Sequence, residues 1–579
     1  MTEVIIVLVA AFAVIAAATV YGPRLGVAAP LVLVGVGVGA SFLPVFAHTH
    51  IEPDLILMGV LPPLLYSSAV SMPAMNFRRE FGAISGLSVL LVIATSLVLG
   101  LFFMLVIPQL GFAWGVALGA IVSPTDAVAT SIIKQTSVSK RVVAVLDGES
   151  LLNDATALVL LRTAIVATAA AFSFWGALGS FAYSVAIAIA IGWLAGWLNL
   201  IIRKHVSDPT VNTVISFAVP FLASLPAELL QASGLVAAVV AGLVTGIRAP
   251  RMFSPAVRLS DNQNWRTVEL VLEGVVFLTM GVQIREIVIN VVEKENDGIV
   301  TAIWVALVAL ALTVLVRAAY VAPLFGVLAR RRRRNEQMHE RLTTMQERIQ
   351  TPEGKDAALE RFRSSRPGRG SEPRGGRLFG AERQLERFAS RVSSMLADIE
   401  YFRREQLGWR EGTAVVWAGM RGAVTVAAAQ TLPGNTPHRA MLVLIAFAVA
   451  AASLLIQGGT IGPVLRLVAP KTDPAAAARQ QKEEIAAIFE LLREHAAAVP
   501  GRPDMSGERT PELFAQASRY RLAVIAAQRS ALLDARDNGT FDADVLADAL
   551  ANLDAEEIAI ALRGKLAGPA TAEGVTAGE

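Results

Sequence analysis

The sequence predicts an all-α polytopic membrane protein: about thirteen transmembrane helices, a basic cytoplasmic insert and a small helical cytoplasmic tail. Three observations carry this. Hydrophobic residues make up 54% and charged residues only 17% of 579, with mean hydropathy +0.54, whereas a soluble chain is closer to a quarter charged. The net charge of +3 is a cancellation between blocks. Residues 1–328 hold 16 basic and 17 acidic groups, 329–411 hold 20 and 13, 412–470 hold 3 and none, and 471–579 hold 12 and 18. Two membrane-like stretches, 1–328 and 412–470, therefore flank the basic insert and precede an acidic tail. Finally, there is no cysteine, which excludes disulfides, thiol catalysis and cysteine metal sites. Of the six histidines only His48 and His50 are closely spaced, which leaves little for zinc.

A span needs about 20 mostly apolar residues. In order, the candidates are 3–21, 27–46, 53–71, 82–107, 112–132, 142–170, 174–202, 210–226, 230–247, 267–284 and 299–328, then 412–431 and 439–468. Loop charges test the count. With the N-terminus outside, inside loops carry Arg24; Arg78 and Arg79; Lys134, Lys140 and Arg141; Arg203 and Lys204; Arg248, Arg251 and Arg258; and the 330–334 arginine run. Outside loops carry Glu52 and Asp54, Glu228, and the acidic stretch 286–297. The alternation holds at every loop and sends the tail to the cytoplasm. Residues 1–20 lack a basic leading region, so the first span is expected to serve as its own insertion signal in the cell membrane.

The insert, 329–411, reads as two charged helical stretches around a Gly/Pro/Arg linker at 364–377, a connector whose arginines touch anionic lipid. It has no aromatic interleaving to suggest nucleic-acid binding. The tail, 471–579, is Ala-rich and helical over 475–565, with apolar positions such as Leu522, Ile525, Leu532 and Leu533, a turn at Asn538-Gly539 and a disordered end after 566.

An ionisable group inside a membrane is a functional hypothesis by default. The candidates are Asp126, Glu149, Asp154, Arg162, Glu273, Arg317 and Arg421. Asp126 ends Ser123-Pro124-Thr125-Asp126, in mid-span. Proline breaks the helix there, and broken backbone at membrane depth survives only in a protein interior or beside a cavity. Freed carbonyls, Thr125 and the carboxylate could then face one cavity; the alternative is a kink with a solvated aspartate. Gly148-Glu149-Ser150-Leu151-Leu152-Asn153-Asp154 puts Ser150 and Asp154 on one helix face. Those oxygens suit a hard monovalent cation, and Asn153 adds a neutral amide beside the acid. Gly419-Met420-Arg421-Gly422 sets an arginine between glycines, where a helix can unwind. Arg421 stays charged, so it needs a carboxylate; Glu149, Asp126 and Asp154 are candidates, with Glu149 favoured because that leaves Asp154 free. Glu273 and Arg317 form a possible second buried pair, with a snorkelling Arg317 the alternative. The two interrupted segments fall in spans five and twelve. They therefore run in opposite directions, as two inverted six-helix repeats would place them.

Together with Leu61-Pro62-Pro63-Leu64-Leu65 and Glu273-Gly274-Val275-Val276-Phe277, these motifs resemble the cation:proton antiporter-1 family of sodium/proton exchangers, in its bacterial form. The resemblance runs through all thirteen spans. It implies a homodimer with a moving core domain, Thr125, Asp126, Asn153 and Asp154 at a helix crossing, Ser150 and Asp154 holding the ion, and a structural Glu149–Arg421 pair. Na⁺ would sit at Asp154, Ser150 and Thr125. One departure is plain: relatives often carry a glutamate just after the aromatic that follows Leu-Pro-Pro-Leu-Leu, and here Tyr66 is followed by Ser67 and Ser68. The expected activity is exchange of Na⁺, or Li⁺, for H⁺ by alternating access, serving pH and sodium homeostasis. It uses no cofactor and no nucleic acid, only the two ions and the bilayer. Asn153 in place of a second aspartate implies electroneutral exchange. A K⁺ or mixed-cation exchanger is the alternative. A channel would need rings of ligands about an axis, and an intramembrane hydrolase would need a catalytic constellation that the spans lack.

Overall fold

In the computed structural model, residues 2–22, 24, 27–46, 52–126, 128–134, 136, 138–169, 174–294, 298–351, 374–405, 407–468, 474–504 and 510–566 are described. His48, His50, most of the 364–377 linker and the chain end after 566 lie outside them. Every described element is helical.

The chain forms two compact units. The first comprises Met1–Phe253, Val257–Val327 and Leu407–Pro470. Its helices are α1 (Thr2–Tyr21), α2 (Ala29–Ala40), α3 (Leu61–Ser71), α4 (Ala74–Ser85), α5 (Val92–Val106), α6 (Phe112–Val122), α7 (Val128–Ile133), α8 (Lys140–Ala169), α9 (Phe174–Lys204), α10 (Pro209–Leu229), α11 (Gly234–Met252), α12 (Pro255–Val282), α13 (Ile284–Lys294) and the apolar part of α14 (Gly298–Gln350). Helices make up most of each of the thirteen apolar segments, with 112–132 and 412–431 interrupted. Eight stretches are long and apolar enough to cross a membrane, and four shorter apolar helices, Ile5–Tyr21, Ala29–Ala40, Leu55–Ser71 and Phe112–Val122, accompany them.

Apolar side chains gain nothing by leaving lipid for a neighbouring helix, so close backbone contact and polar pairs hold such helices together. Gly192 and Gly196 of α9 lie against the carbonyls of Ala237 and Ala241 on α11; a β-carbon at Gly192 would stand 2.3 Å from the Ala237 oxygen. α11 also packs on α3, and α6 lies between α5 and α8. Two buried ion pairs join helix ends that the loop reading had treated as solvated. Arg141 of α8 grips Glu80 of α4 at 2.5 and 3.2 Å, and Arg203 of α9 bonds both Asn212 and Asp261. Arg162 pairs with Glu228 at 2.8 Å and is half exposed.

The second unit comprises Ser254–Ala256, Leu328–Gln406 and Lys471–Glu579. It holds α15 (Arg374–Arg404) from the insert and three tail helices, α20 (Pro474–Ala497), α21 (Pro511–Asn538) and α22 (Ala543–Leu566). The insert and the tail thus form one unit, where the charge blocks had suggested two. Ile488, Ile525, Leu532, Leu546 and Leu553 make the tail core. Leu533 is buried too, whereas Leu522 is 36% exposed. The turn at Asn538-Gly539 is present, with Gly539 in the left-handed region at φ 73°, where glycine carries no steric cost. On α15, Leu385, Val392 and Ile399 are buried at seven-residue spacing, and this helix packs on α21. The expected linker is shorter than its composition suggested, because residues 374–377 already belong to α15.

A carboxylate-lined cavity where two interrupted helices cross

Two broken helices build the site. α6 ends at Val122, residues 123–126 lie outside any helix, and α7 resumes at Val128. α16 (Trp409–Trp417) stops likewise, residues 419–422 lie outside any helix with Gly422 extended, and α17 (Ala423–Gln430) follows. The two breaks are tied directly: Asp126 N–H donates to the Met420 carbonyl at 2.7 Å. Pro124 explains the first break. The second lies in the glycine-flanked segment. A β-carbon on Gly422 would come within 1.4 Å of Asp126 Oδ2. Only glycine lets that carboxylate rest against the start of α17, whose amides and dipole favour negative charge.

Broken helices leave carbonyls without donors, and Arg421 is consumed by them. Its Nε donates to Val122 O at 3.1 Å and its Nη1 to Gly419 O, while its own amide donates to Ser453 Oγ at 2.9 Å. Ser453 and Gln457, on α18 (Arg439–Ser453) and the turn before α19 (Gly459–Val468), then brace Trp417 O.

Glu149 therefore has a different partner from the one expected. Arg317 of α14 meets it fork to fork, with Nη2 to Oε2 at 2.7 Å, both side chains being 2% exposed. Arg317 Nε also donates to Val415 O at 2.8 Å. The pairings Glu149–Arg421 and Glu273–Arg317 are both replaced by Glu149–Arg317. Arg421 is turned toward carbonyls of both breaks, and α14 brings Arg317 inside to the carboxylate instead of letting it snorkel. Close approach of the Arg317 stem requires Gly419, where a β-carbon would lie 2.8 Å from Cδ.

From Glu149 a chain of hydrogen bonds runs to the first break. Thr125 Oγ1 donates to Glu149 Oε1 at 3.1 Å. Asn153 Nδ2 donates to Thr125 Oγ1 at 2.6 Å and to Thr125 O at 3.1 Å. Asn153 Oδ1 is buried without a partner among the described residues. Beside this chain lies a cavity of ≈80 Å³ lined by Thr125, Asp126, Ser150 and Asp154, all expected there, with Glu273. Ser150 Oγ is engaged by the Asp147 carbonyl at 3.0 Å. Asp154 is 7% exposed and accepts no hydrogen bond from any described residue. Ser68, one of the two serines that follow Tyr66, lines the cavity too. The sequence reading missed two groups there: Glu269, and Thr425, whose buried Oγ1 has no partner among the described residues. Glu269 was findable: it stands four residues before Glu273 on one helix, so both share a face.

An all-helical bundle of apolar segments, with two interrupted helices crossing beside a buried acid, is the architecture of a secondary transporter. Comparison with known proteins narrows the class. The family model for sodium/hydrogen exchanger transmembrane regions matches residues 6–348 and 388–467, and the chain belongs to that family, one of transporters that work without a cofactor. An uncharacterized Na⁺/H⁺ exchanger of Escherichia coli K12 is 34% identical over 266 residues, 44% of this chain and 48% of that protein; the chain thus spans about half the length of this relative. An uncharacterized Na⁺/H⁺ exchanger of Mycobacterium bovis is 26% identical over 98% of this chain and 97% of its own. A sodium, potassium, lithium and rubidium/H⁺ antiporter of Bacillus subtilis is 30% identical over 45% of this chain and 40% of its own. Among solved structures, the sodium proton antiporter of Methanocaldococcus jannaschii aligns with TM-score 0.54 at 14% identity, over 81% of this chain and all of that one, a likeness of fold.

Proposed function

We propose that this protein exchanges Na⁺ or Li⁺ for H⁺ across the cell membrane by alternating access, with Asp154 carrying each ion in turn. One observation carries the reading: Asp154 is buried, has no hydrogen-bond partner among the described residues and lines the cavity at the helix crossing. A bare charge there is costly to move through a dry barrier. Neutralised by a proton or by a cation it can move, and that requirement couples the two fluxes. Ser150 and Thr125 are the neutral ligands nearest in sequence and site, with Asp126 held at the start of α17 as a fixed counter-charge. Protons and Na⁺ compete for one carboxylate, so acidification raises the Na⁺ needed for half-maximal exchange.

With Asn153 uncharged, one exchangeable charge per cycle makes the exchange electroneutral. The N-terminus faces outside and the tail faces the cytoplasm, where the inside loops keep their arginines. The protein works as a homodimer in pH and sodium homeostasis. The Bacillus relative's name, which includes potassium and rubidium, supports a second reading: a broader cation range at the same site. Fluorescence dequenching in everted vesicles, run with Na⁺, Li⁺ and K⁺, separates the two. Asp154→Asn abolishes exchange with every cation at normal expression; retained exchange removes Asp154 as the carrier.

A further inference from the structure

The exchange cycle leaves two of the cavity's carboxylates unused, and both come from α12. Glu269 and Glu273 are four residues apart and share a face; both line the cavity with Asp126 and Asp154, and no base is among its lining residues. Glu269 forms no ion pair among the described residues. Lys134 and Arg266 act on it only at a distance, and Asp147 opposes them. Its hydrogen bond among the described residues comes from Ser67 Oγ, which donates to Oε2 at 3.1 Å from α3. Ser67 is 3% exposed, so a buried hydroxyl fixes the rotamer of a carboxylate that is itself only part-buried. An acidic cluster alone signals no ligand. Here two further groups line the same space without a hydrogen-bond partner among the described residues: Asp154, and the Oγ1 of Thr425, a residue 1% exposed. Hard oxygen donors, four carboxylates and a space of ≈80 Å³ suit a small cation stripped of part of its water.

We propose that Glu269, positioned by Ser67, is a cation-binding carboxylate of this exchanger, holding the entering cation at the α3–α12 side of the cavity before Asp154 receives it. The inference rests on cation exchange at Asp154 but is tested separately from it. A ligand for entry sets the cation concentration required, whereas the carrier sets whether exchange occurs at all. The decisive comparison is half-saturating Na⁺ and maximal rate in everted vesicles for Glu269→Gln, Ser67→Ala and the double variant Ser67→Glu/Glu269→Gln, which moves the carboxylate across the hydrogen bond from α12 to α3.

Glu269→Gln is expected to raise half-saturating Na⁺ about tenfold, and Ser67→Ala about threefold, with maximal rates kept. The double variant returns to within about twofold of wild type. Half-saturating Na⁺ unchanged in Glu269→Gln overturns the proposal while leaving Asp154 in place. A double variant as weak as Glu269→Gln also overturns it, because the loss then reflects the shape of α12 and not its charge. If Glu269→Gln is inactive, Na⁺-dependent thermal stabilisation of the detergent-purified protein decides: a midpoint shifted about tenfold supports the ligand role, and an unshifted midpoint refutes it. Wild-type vesicles without any cation-dependent proton flux would instead refute the exchange reading itself.

Discussion

The carboxylate of Asp126 occupies the space that a side chain at position 422 would fill: Oδ2 lies 1.4 Å from where a β-carbon on Gly422 would stand. The peptide of Met420 binds the Asp126 amide from the same side. The two interruptions are therefore a single interlocked unit, in which one break supplies the acid and the other supplies the gap that receives it.

Gly422→Ala is accordingly expected to expel Asp126 from the start of α17 and to cost about 1–3 kcal/mol, the usual range for overpacking. Exchange should be lost. Adding Asp126→Ala relieves the clash, so Asp126→Ala/Gly422→Ala should recover thermal stability in detergent but not transport. Equal stability of the single and double variants would show that the clash relaxes elsewhere.

The buried pair makes a second prediction. Removing one member of a buried ion pair leaves an uncompensated charge and costs about 3–5 kcal/mol. Glu149→Ala and Arg317→Ala should each fall in that range, and the double variant should lose much less than their sum. The corresponding cycle between Glu149 and Arg421 should show weaker coupling, because Arg421 donates to Val122 O and Gly419 O and not to the carboxylate. Thermal melts of the four variants in each cycle measure both couplings.

This pair also marks where sequence reading ends. The helices were legible because lipid imposes a 20-residue apolar rule, and the breaks because Pro124 and the Gly419–Gly422 segment disturb it. Asp154, Thr125 and Asp126 were legible as polar groups in apolar spans. Which arginine meets Glu149 was not. Arg317 and Arg421 are equally polar intrusions, and only the crossing of α14 over the second break decides between them. The loop reading missed Glu80–Arg141 and Arg203–Asp261 for a related reason: a charge at a helix end looks solvated until another helix end covers it. Glu269 fell at the edge of its apolar segment and was hidden by the same boundary.

The tail offers a test of separability. Leu532 is fully buried in the tail core beside Ile525, Leu546 and Leu553. Leu532→Ala should cost that core about 2–5 kcal/mol. Exchange in vesicles, normalised to the amount of folded protein, should stay at the wild-type rate, since the residues described as lining the cavity all belong to the first unit. A changed rate at equal folded protein would assign the tail a regulatory role in transport.

Asn153 gives the most discriminating prediction. Its amide holds both the hydroxyl and the freed carbonyl of Thr125, while its position beside Asp154 adds no charge to the site. Asn153→Ala removes both bonds and should cost about 1–3 kcal/mol, with the carbonyl at the break left without that donor. Asn153→Asp keeps the shape but points an oxygen at the Thr125 carbonyl oxygen. The introduced carboxyl preserves that bond only while protonated, so it brings a second exchangeable proton into the site. Wild-type exchange should be indifferent to a membrane potential set by K⁺ and valinomycin, and Asn153→Asp should become sensitive to it. If wild type itself responds to the potential, exchange is not one for one. If Asn153→Asp remains indifferent, the carboxyl at that position does not titrate during the cycle.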